Sequence, residues 1–280
     1  MKEQEVIRTG LLGWPVAHSV SPAMQNAAFQ ALGLPWRYEL LPVPPDELAT
    51  AVAGLEGRGF RGANVTVPHK EAALALVDEA DADGRAIGAV NTLVRRGGGW
   101  LGANTDAAGF LAALREGGFE PAGRRALVLG AGGAARAVVY ALGQAGCAVI
   151  IHNRTAERAV RLCADLGAGV AAPLAVAPSL TGLDLDAMDL LVNATPLGQW
   201  PAADALPWPR SLPLPAHWTV FDLVYNPVET RLLARARAAG ATPVDGLEML
   251  VHQGARSFRL WTGREAPLEV MRAAARQAVA

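Results

Sequence analysis

Three polar segments of this chain carry side chains suited to moving protons. Gly13-Trp14-Pro15-Val16-Ala17-His18-Ser19-Val20-Ser21-Pro22 offers two hydroxyls, and Asn64-Val65-Thr66-Val67-Pro68-His69-Lys70 offers a hydroxyl and an ammonium. Asn91, with Asn104-Thr105-Asp106, adds amides and a carboxylate. Each has a plain structural reading: Ser21 as a helix N-cap, Lys70 as a solvated lysine, Asp106 as the cap of the helix after it. Their combination is what points to chemistry. Hydroxyls and amides that converge on a polyhydroxylated small molecule, plus one Lys and one Asp for proton handling, are what hydride transfer between a carbinol and a ketone needs.

A second signal is the run Leu127-Val128-Leu129-Gly130-Ala131-Gly132-Gly133-Ala134-Ala135-Arg136. It leaves a strand, opens a helix, and sets Gly130, Gly132 and Ala135 at the three positions of a dinucleotide-binding fingerprint. Glycines there let backbone amides at a helix N-terminus surround a pyrophosphate. About 20 residues on, an acidic side chain is expected if a ribose 2′-hydroxyl is held. This chain has His152-Asn153-Arg154-Thr155 instead, with Arg158 one helical turn further along. A guanidinium can pair bidentately with a 2′-phosphate, so the expected cofactor is NADP rather than NAD.

These segments need elements to position them. A chain of 280 residues suggests two domains, and two domains imply a cleft. With 51% apolar and 18% charged residues there is ample material for packed cores. From the N-terminus, strand-like and helical periods alternate: a strand near Leu11 before a helix from Ser21 to near Gly33, then 37–43 with 46–55, and 62–67 with 70–77. This rhythm reads as βαβ units on a parallel sheet, closed by a terminal hairpin of 89–96 and 100–104 around Gly97-Gly98-Gly99. A crossing helix over 105–115 leads to a second series, with buried-strand runs at 126–129, 148–152, 189–194 and 219–224. A short run at 242–244 precedes helices over 246–260 and 268–278, and the Pro-rich stretch 201–215 reads as a surface loop. The fold class is therefore α/β. We divide the chain into a substrate-binding and catalytic domain (1–106), a Rossmann-like, doubly wound dinucleotide-binding domain (107–245) and C-terminal helices (246–280).

Charge and cysteine use narrow the ligand and the setting. A net charge of -1 from 25 basic and 26 acidic side chains argues against nucleic acid and anionic membranes as partners and for a small molecule. The longest uncharged stretch, Thr9 to Trp36, is broken by Pro15, Pro22 and Pro35 and cannot span a bilayer. Charged residues within Met1 to Glu5 and the lack of an apolar stretch after them argue against a secretory leader and for a cytoplasmic protein. Cys147 and Cys163 have neither disulfide nor zinc spacing and read as reduced packing residues; no metal is expected.

In the order GWPVAHSVSP, NVTVPHK, GAVNTL, NTDAAGF, GAGGAAR, NRT, NATPLG, VYNPVET and GLEMLVHQGARSFRLWTG, the chain resembles the shikimate dehydrogenase family from Gly13 to Gly263. The resemblance implies NADPH-dependent reversible reduction of 3-dehydroshikimate to shikimate, with Lys70 and Asp106 catalytic. It implies substrate contacts from Ser19, Ser21, Thr66, Asn91, Asp106, Tyr225 and Gln253. It also implies a cofactor site lined by Gly130, Ala131, Gly132, Gly133, Ala134, Asn153, Arg154, Thr155, Arg158, Leu223 and Gly246, and C-terminal helices that return to the first domain. Because the substrate ligands are split between early and late segments, the domains are expected to close over the substrate. His18 and His69 are expected to be hydrogen-bonded structural residues, since Lys70 is available for the proton. Gln25 and Ala107 depart from the family pattern, which often has His and Gly there. A quinate or dual-specificity enzyme is the alternative within the class, and a non-catalytic NADP-sensing protein the alternative outside it. A homodimer is compatible with either.

Overall fold

The computed structural model describes residues 6–279. Met1–Glu5, on which part of the leader reading rests, lie outside the described residues. In chain order the elements are β1 (Ile7–Gly13), α1 (Ser21–Ala31), β2 (Trp36–Pro42), α2 (Leu48–Gly54), β3 (Phe60–Val65), α3 (Lys70–Leu74), β4 (Glu79–Ala80), α4 (Ala82–Ile87), β5 (Thr92–Arg96) and β6 (Gly99–Ala103). There follow α5 (Asp106–Glu116), β7 (Arg125–Leu129), α6 (Gly133–Gln144), β8 (Ala148–His152), α7 (Ala156–Gly167), β9 (Leu174–Val176), β10 (Leu190–Asn193), β11 (Thr219–Asp222), α8 (Arg231–Ala238), β12 (Thr242–Val244), α9 (Leu247–Thr262) and α10 (Leu268–Val279). The chain forms two compact units, residues 1–109 with 250–280 and residues 110–249, so the boundary falls within α5 and α9.

The first unit is built on a six-stranded sheet of order β2-β1-β3-β5-β6-β4. β1 pairs in parallel with β2 and β3, as the βαβ rhythm requires. β5 is antiparallel to both β3 and β6, so the sheet is mixed, with the expected parallel pairing among β2, β1 and β3 and again between β6 and β4. The glycine turn does join β5 to β6, with Arg96 opposite Gly99, but β4 pairs beyond β6 and takes the edge. The single helix expected over 70–77 stops at Leu74. Asp81 then caps α4 by accepting from the amide of Gly84 at 2.6 Å, a short helix that hydrophobic periodicity did not reveal. Leu12, Leu41, Leu55, Phe60, Val65, Val90 and Leu93 form the core against one face of the sheet.

The C-terminal helices belong to this first unit. α10 lies against α1, Phe258 of α9 stacks on Phe29 with ring centroids 5.1 Å apart, and the Trp261 indole N–H donates to the Leu93 carbonyl at 3.0 Å. Gln25 is fully buried and donates to the Gly254 carbonyl at 2.9 Å, so this departure from the family pattern ties α1 to α9 while its own Oε1 has no partner among the described residues. Ser21 is the first residue of α1 rather than its cap: Val20 is the N-cap and supplies no side-chain bond.

The second unit is a six-stranded sheet of order β12-β11-β10-β7-β8-β9, parallel throughout. The chain runs outward from β7 through β8 to β9, then restarts beside β7 at β10 and runs the other way. That reversal is the doubly wound topology, with its switch point between β7 and β10. β9 is too short and too exposed to show as a periodic run. The stretch 201–215 has no helix or strand, but it is not merely a surface loop. Trp208 is fully buried edge-on to Trp218, centroids 5.6 Å apart, in a core with Leu191, Val220 and Leu232. Cys147 is buried and free, and burial pushes its thiol up to about 12, as expected of a packing residue.

Candidate functional site

In the first unit the site grows from one helix cap. The Asn104 side chain accepts from the backbone amides of Asp106 at 3.0 Å and Ala107 at 3.3 Å, so the first two amides of α5 are satisfied without the Asp106 side chain. The carboxylate is thereby released from the capping role. It receives the Lys70 ammonium at 2.6 Å on Oδ2 and the Asn91 amide at 2.7 Å on Oδ1. Both members of the ion pair are largely buried, with side-chain exposures of 12% for Lys70 and 5% for Asp106. Poor solvent screening makes such a contact count for more than a surface pair.

The folding of the local backbone explains why these residues meet. Lys70 opens α3, its carbonyl accepts from the Val90 amide at 2.9 Å, and this seats Asn91 beside it. Asn91 is held from its other end: Oδ1 accepts the Thr105 amide at 2.8 Å and the Thr92 hydroxyl at 3.1 Å, which leaves its NH₂ to face Asp106. The same NH₂ lies 3.4 Å from Oε1 of Gln253, whose own NH₂ donates to the Leu250 carbonyl at 2.8 Å. Below these groups Thr92, Ser257 and Asn64 form a buried network, with Asn64 donating to Ser257 Oγ at 2.9 Å and accepting from the Tyr38 hydroxyl at 2.8 Å. The capping role of Asn104 and the parts played by Thr92 and Ser257 were missed by the sequence reading. Ser257 and Asn64 are 193 positions apart, and no local pattern links them.

The remaining hydroxyls leave the same end of adjacent parallel strands. Ser19 follows β1 and donates to Ser21 Oγ at 3.1 Å, and Thr66 follows β3, its amide bonded to the Leu12 carbonyl at 2.8 Å. His69 is 2% exposed with Nε2 at 2.7 Å from the Val43 carbonyl; a carbonyl only accepts, so that nitrogen carries the proton and the ring is structural. Burial lowers the pKa of His18, which favours its neutral form. Of the expected substrate contacts, Ser19, Ser21, Thr66, Asn91, Asp106 and Gln253 lie in this unit, while half-buried Tyr225 belongs to the other.

In the second unit the fingerprint occupies the strand-order switch. Gly130 has φ +116°, and a Cβ on it would stand 2.9 Å from the Ala194 carbonyl oxygen at the end of the neighbouring strand β10. Gly132 is the N-cap of α6, extended and without a side-chain acceptor, so the helix presents amides that an anion can receive. At the end of β8, Asn153 donates to the Thr155 carbonyl at 2.9 Å to close a tight turn, and Arg154, Thr155 and Arg158 are exposed. Arg154 and Arg158 make no ion pair among the described residues. At the end of β11 the Leu223 amide donates to the Asn193 carbonyl at 2.9 Å, and a Cβ on Gly246 would lie 2.3 Å from the Leu223 carbonyl oxygen. A cradle that a Cβ would fill, an uncapped helix N-terminus and two unpaired guanidiniums fit a phosphorylated dinucleotide.

A doubly wound sheet that can hold such a dinucleotide, carried in one chain with a buried Lys–Asp pair, defines a dinucleotide-dependent oxidoreductase. Comparison with known proteins specifies the family. Residues 11–93 match the family model described as the shikimate dehydrogenase substrate binding domain. Residues 113–197 match shikimate / quinate 5-dehydrogenase, and 246–276 the shikimate 5'-dehydrogenase C-terminal domain. Shikimate dehydrogenase (NADP(+)) of Moorella thermoacetica is 51% identical over 273 residues, covering 96% of this chain and 92% of that protein. The crystal structure of shikimate 5-dehydrogenase from Thermus thermophilus in complex with NADP(H) and shikimate matches with a TM-score of 0.87 and 45% identity, covering 98% of this chain and 100% of that one. Quinate dehydrogenase from Corynebacterium glutamicum in complex with NAD matches with a TM-score of 0.85 and 34% identity over 97% of this chain and 99% of that one. The chain belongs to the shikimate dehydrogenase family.

Proposed function

We propose that this protein catalyses the NADPH-dependent, reversible reduction of 3-dehydroshikimate to shikimate, a step of aromatic amino acid biosynthesis. The observation that carries the reading is the 2.6 Å contact between Lys70 and Asp106 within a buried set of amides and hydroxyls. When bound, the dinucleotide supplies the hydride. Lys70 gives its ammonium proton to the carbonyl oxygen as negative charge develops there, and an ammonium in a largely dry pocket stabilises that charge as well as protonating it. Asp106 holds the ammonium in place, and Asn91 fixes the carboxylate from its other oxygen. In the oxidative direction the proton passes back from the substrate hydroxyl to the Lys70 amine.

Ser19, Ser21, Thr66, Asn91, Tyr225 and Gln253 supply hydroxyl and amide groups for the ring substituents. Gly130 to Ala134 hold the pyrophosphate, Asn153, Arg154, Thr155 and Arg158 hold the adenosine 2′-phosphate end, and Leu223 and Gly246 line the rest of the dinucleotide site. The free cysteines support a reducing, cytoplasmic setting. The deciding experiment is shikimate-dependent reduction of NADP, with quinate and NAD as alternative substrates. Turnover with shikimate and NADP far above the other three combinations is the expected result, and turnover only with quinate would make the protein a quinate dehydrogenase instead.

A further inference from the structure

Asp222 is a fully buried carboxylate that the reaction does not use. It ends β11 directly opposite Asn193, the last residue of β10. Three donors converge on it: Oδ1 accepts the Asn193 amide at 2.8 Å and the Val224 backbone amide at 3.1 Å, and Oδ2 accepts the Thr230 hydroxyl at 2.7 Å. Thr230 in turn caps α8 by accepting from the Leu233 amide at 3.2 Å. Asn193 continues the chain of contacts, accepting the Thr195 hydroxyl at 2.6 Å and amide at 3.1 Å. One carboxylate thus joins two strand ends, the loop after each, and a helix N-terminus.

Both glycine approaches of the dinucleotide cradle rest on these strand ends. Gly130 packs on the carbonyl of Ala194, the residue after Asn193, and Gly246 packs on the carbonyl of Leu223, the residue after Asp222. We propose that Asp222 is a positioning residue of the dinucleotide site, holding Ala194 and Leu223 at the height that leaves the cradle open between Gly130 and Gly246. The assignment rests on the dinucleotide reading given above. Burial raises the carboxyl to about 6, with no cation paired to it among the described residues, so the group is kept at a cost to folding rather than for stability. Position, not stability, is then what it supplies.

The test compares Asp222→Asn with wild type by calorimetric titration with NADP⁺, by melting temperature at pH 8, and by KM for NADP and for shikimate. Asparagine keeps the shape, but its NH₂ replaces an acceptor: turned toward Thr230 it makes that hydroxyl, which already accepts from Leu233, accept twice and give up the bond it donated, so the tie between the end of β11 and the start of α8 weakens. The expected result is a roughly 10-fold weaker NADP⁺ dissociation constant, the scale of a sub-ångström misplacement, with the melting temperature not lowered and the KM for shikimate unchanged. Wild-type affinity in the variant overturns the proposal, as does a lowered melting temperature with both KM values raised. A wild-type protein that fails to bind NADP⁺ overturns the dinucleotide reading itself and this assignment with it. Should Asp222→Asn not fold, Thr230→Val and Thr230→Ser decide: weakened binding in the first restored in the second supports the proposal, and equal binding in both overturns it.

Discussion

Lys70 is one side chain among several polar ones in its motif, and its contact with Asp106 distinguishes it. If it is the proton donor, Lys70→Ala lowers kcat by about 10²–10⁴-fold while the KM for shikimate changes little, the usual signature of losing a general acid. Steady-state kinetics in both directions check this, and an unchanged kcat rules Lys70 out of the chemistry. Arg154 is the corresponding residue of the proposed cofactor site. Its exposed guanidinium just after β8, with no ion pair among the described residues, is suited to a phosphate. Arg154→Ala therefore costs NADP use about 1.5–3 kcal/mol, roughly 10–150-fold in kcat/KM, and leaves NAD use nearly unchanged. Equal losses with both cofactors would assign the arginine to the turn rather than to the phosphate.

At the scale of elements, the dinucleotide site is a matter of backbone approach. The end of β11 and the start of α9 come so close at Gly246 that a Cβ there would overlap the Leu223 carbonyl, a backbone atom that cannot swing aside. Gly246→Ala accordingly destabilises the protein by about 1–3 kcal/mol and weakens NADP binding in the same variant, as overpacking against backbone does. Chemical denaturation and NADP titration on one preparation check both effects. The strand–glycine–helix unit from Arg125 to Gln144 was legible because its signals fall within a few residues of one another. The short elements β4, α4 and β9 were not, since two to six residues carry too little periodicity to register. The antiparallel pairing of β5 with β3 was hidden for another reason: a strand's own residues do not encode which neighbour it joins.

For the molecule as a whole, the buried Asp222 gives stability a definite dependence on pH. Its folded pKa, about 6, stands above the ordinary value of 3.8, because desolvation outweighs the three donors around it. The stability that this shift contributes is complete below about pH 4 and is lost as pH rises through about 6, so ionisation at neutral pH opposes folding. Asp222→Asn removes the titration. Relative to wild type, the variant gains about 1 kcal/mol of unfolding free energy between pH 5 and pH 8, as measured by denaturant unfolding at the two values. A difference that stays flat with pH would mean that Asp222 is ionised throughout. The thiol of Cys147, pushed up to about 12, adds nothing to this range and should resist alkylation in the native protein.

What could be read directly from the chain was what is local or additive: the α/β alternation, the glycine fingerprint at Gly130, the arginines where an acid is usual, and the Lys and Asp proposed to handle the proton. Periodicity, turn chemistry and motif order survive in a one-dimensional string because their physical causes act over a few residues. Only the tertiary structure decided which polar groups those residues face. Asn104 rather than Asp106 caps α5, Asn91 turns its amide toward Asp106 because Thr92 and Thr105 occupy its oxygen, and Asp222 is buried among donors instead of cations. A buried polar group must find its partners wherever the fold brings them, and here they come from up to 193 residues away.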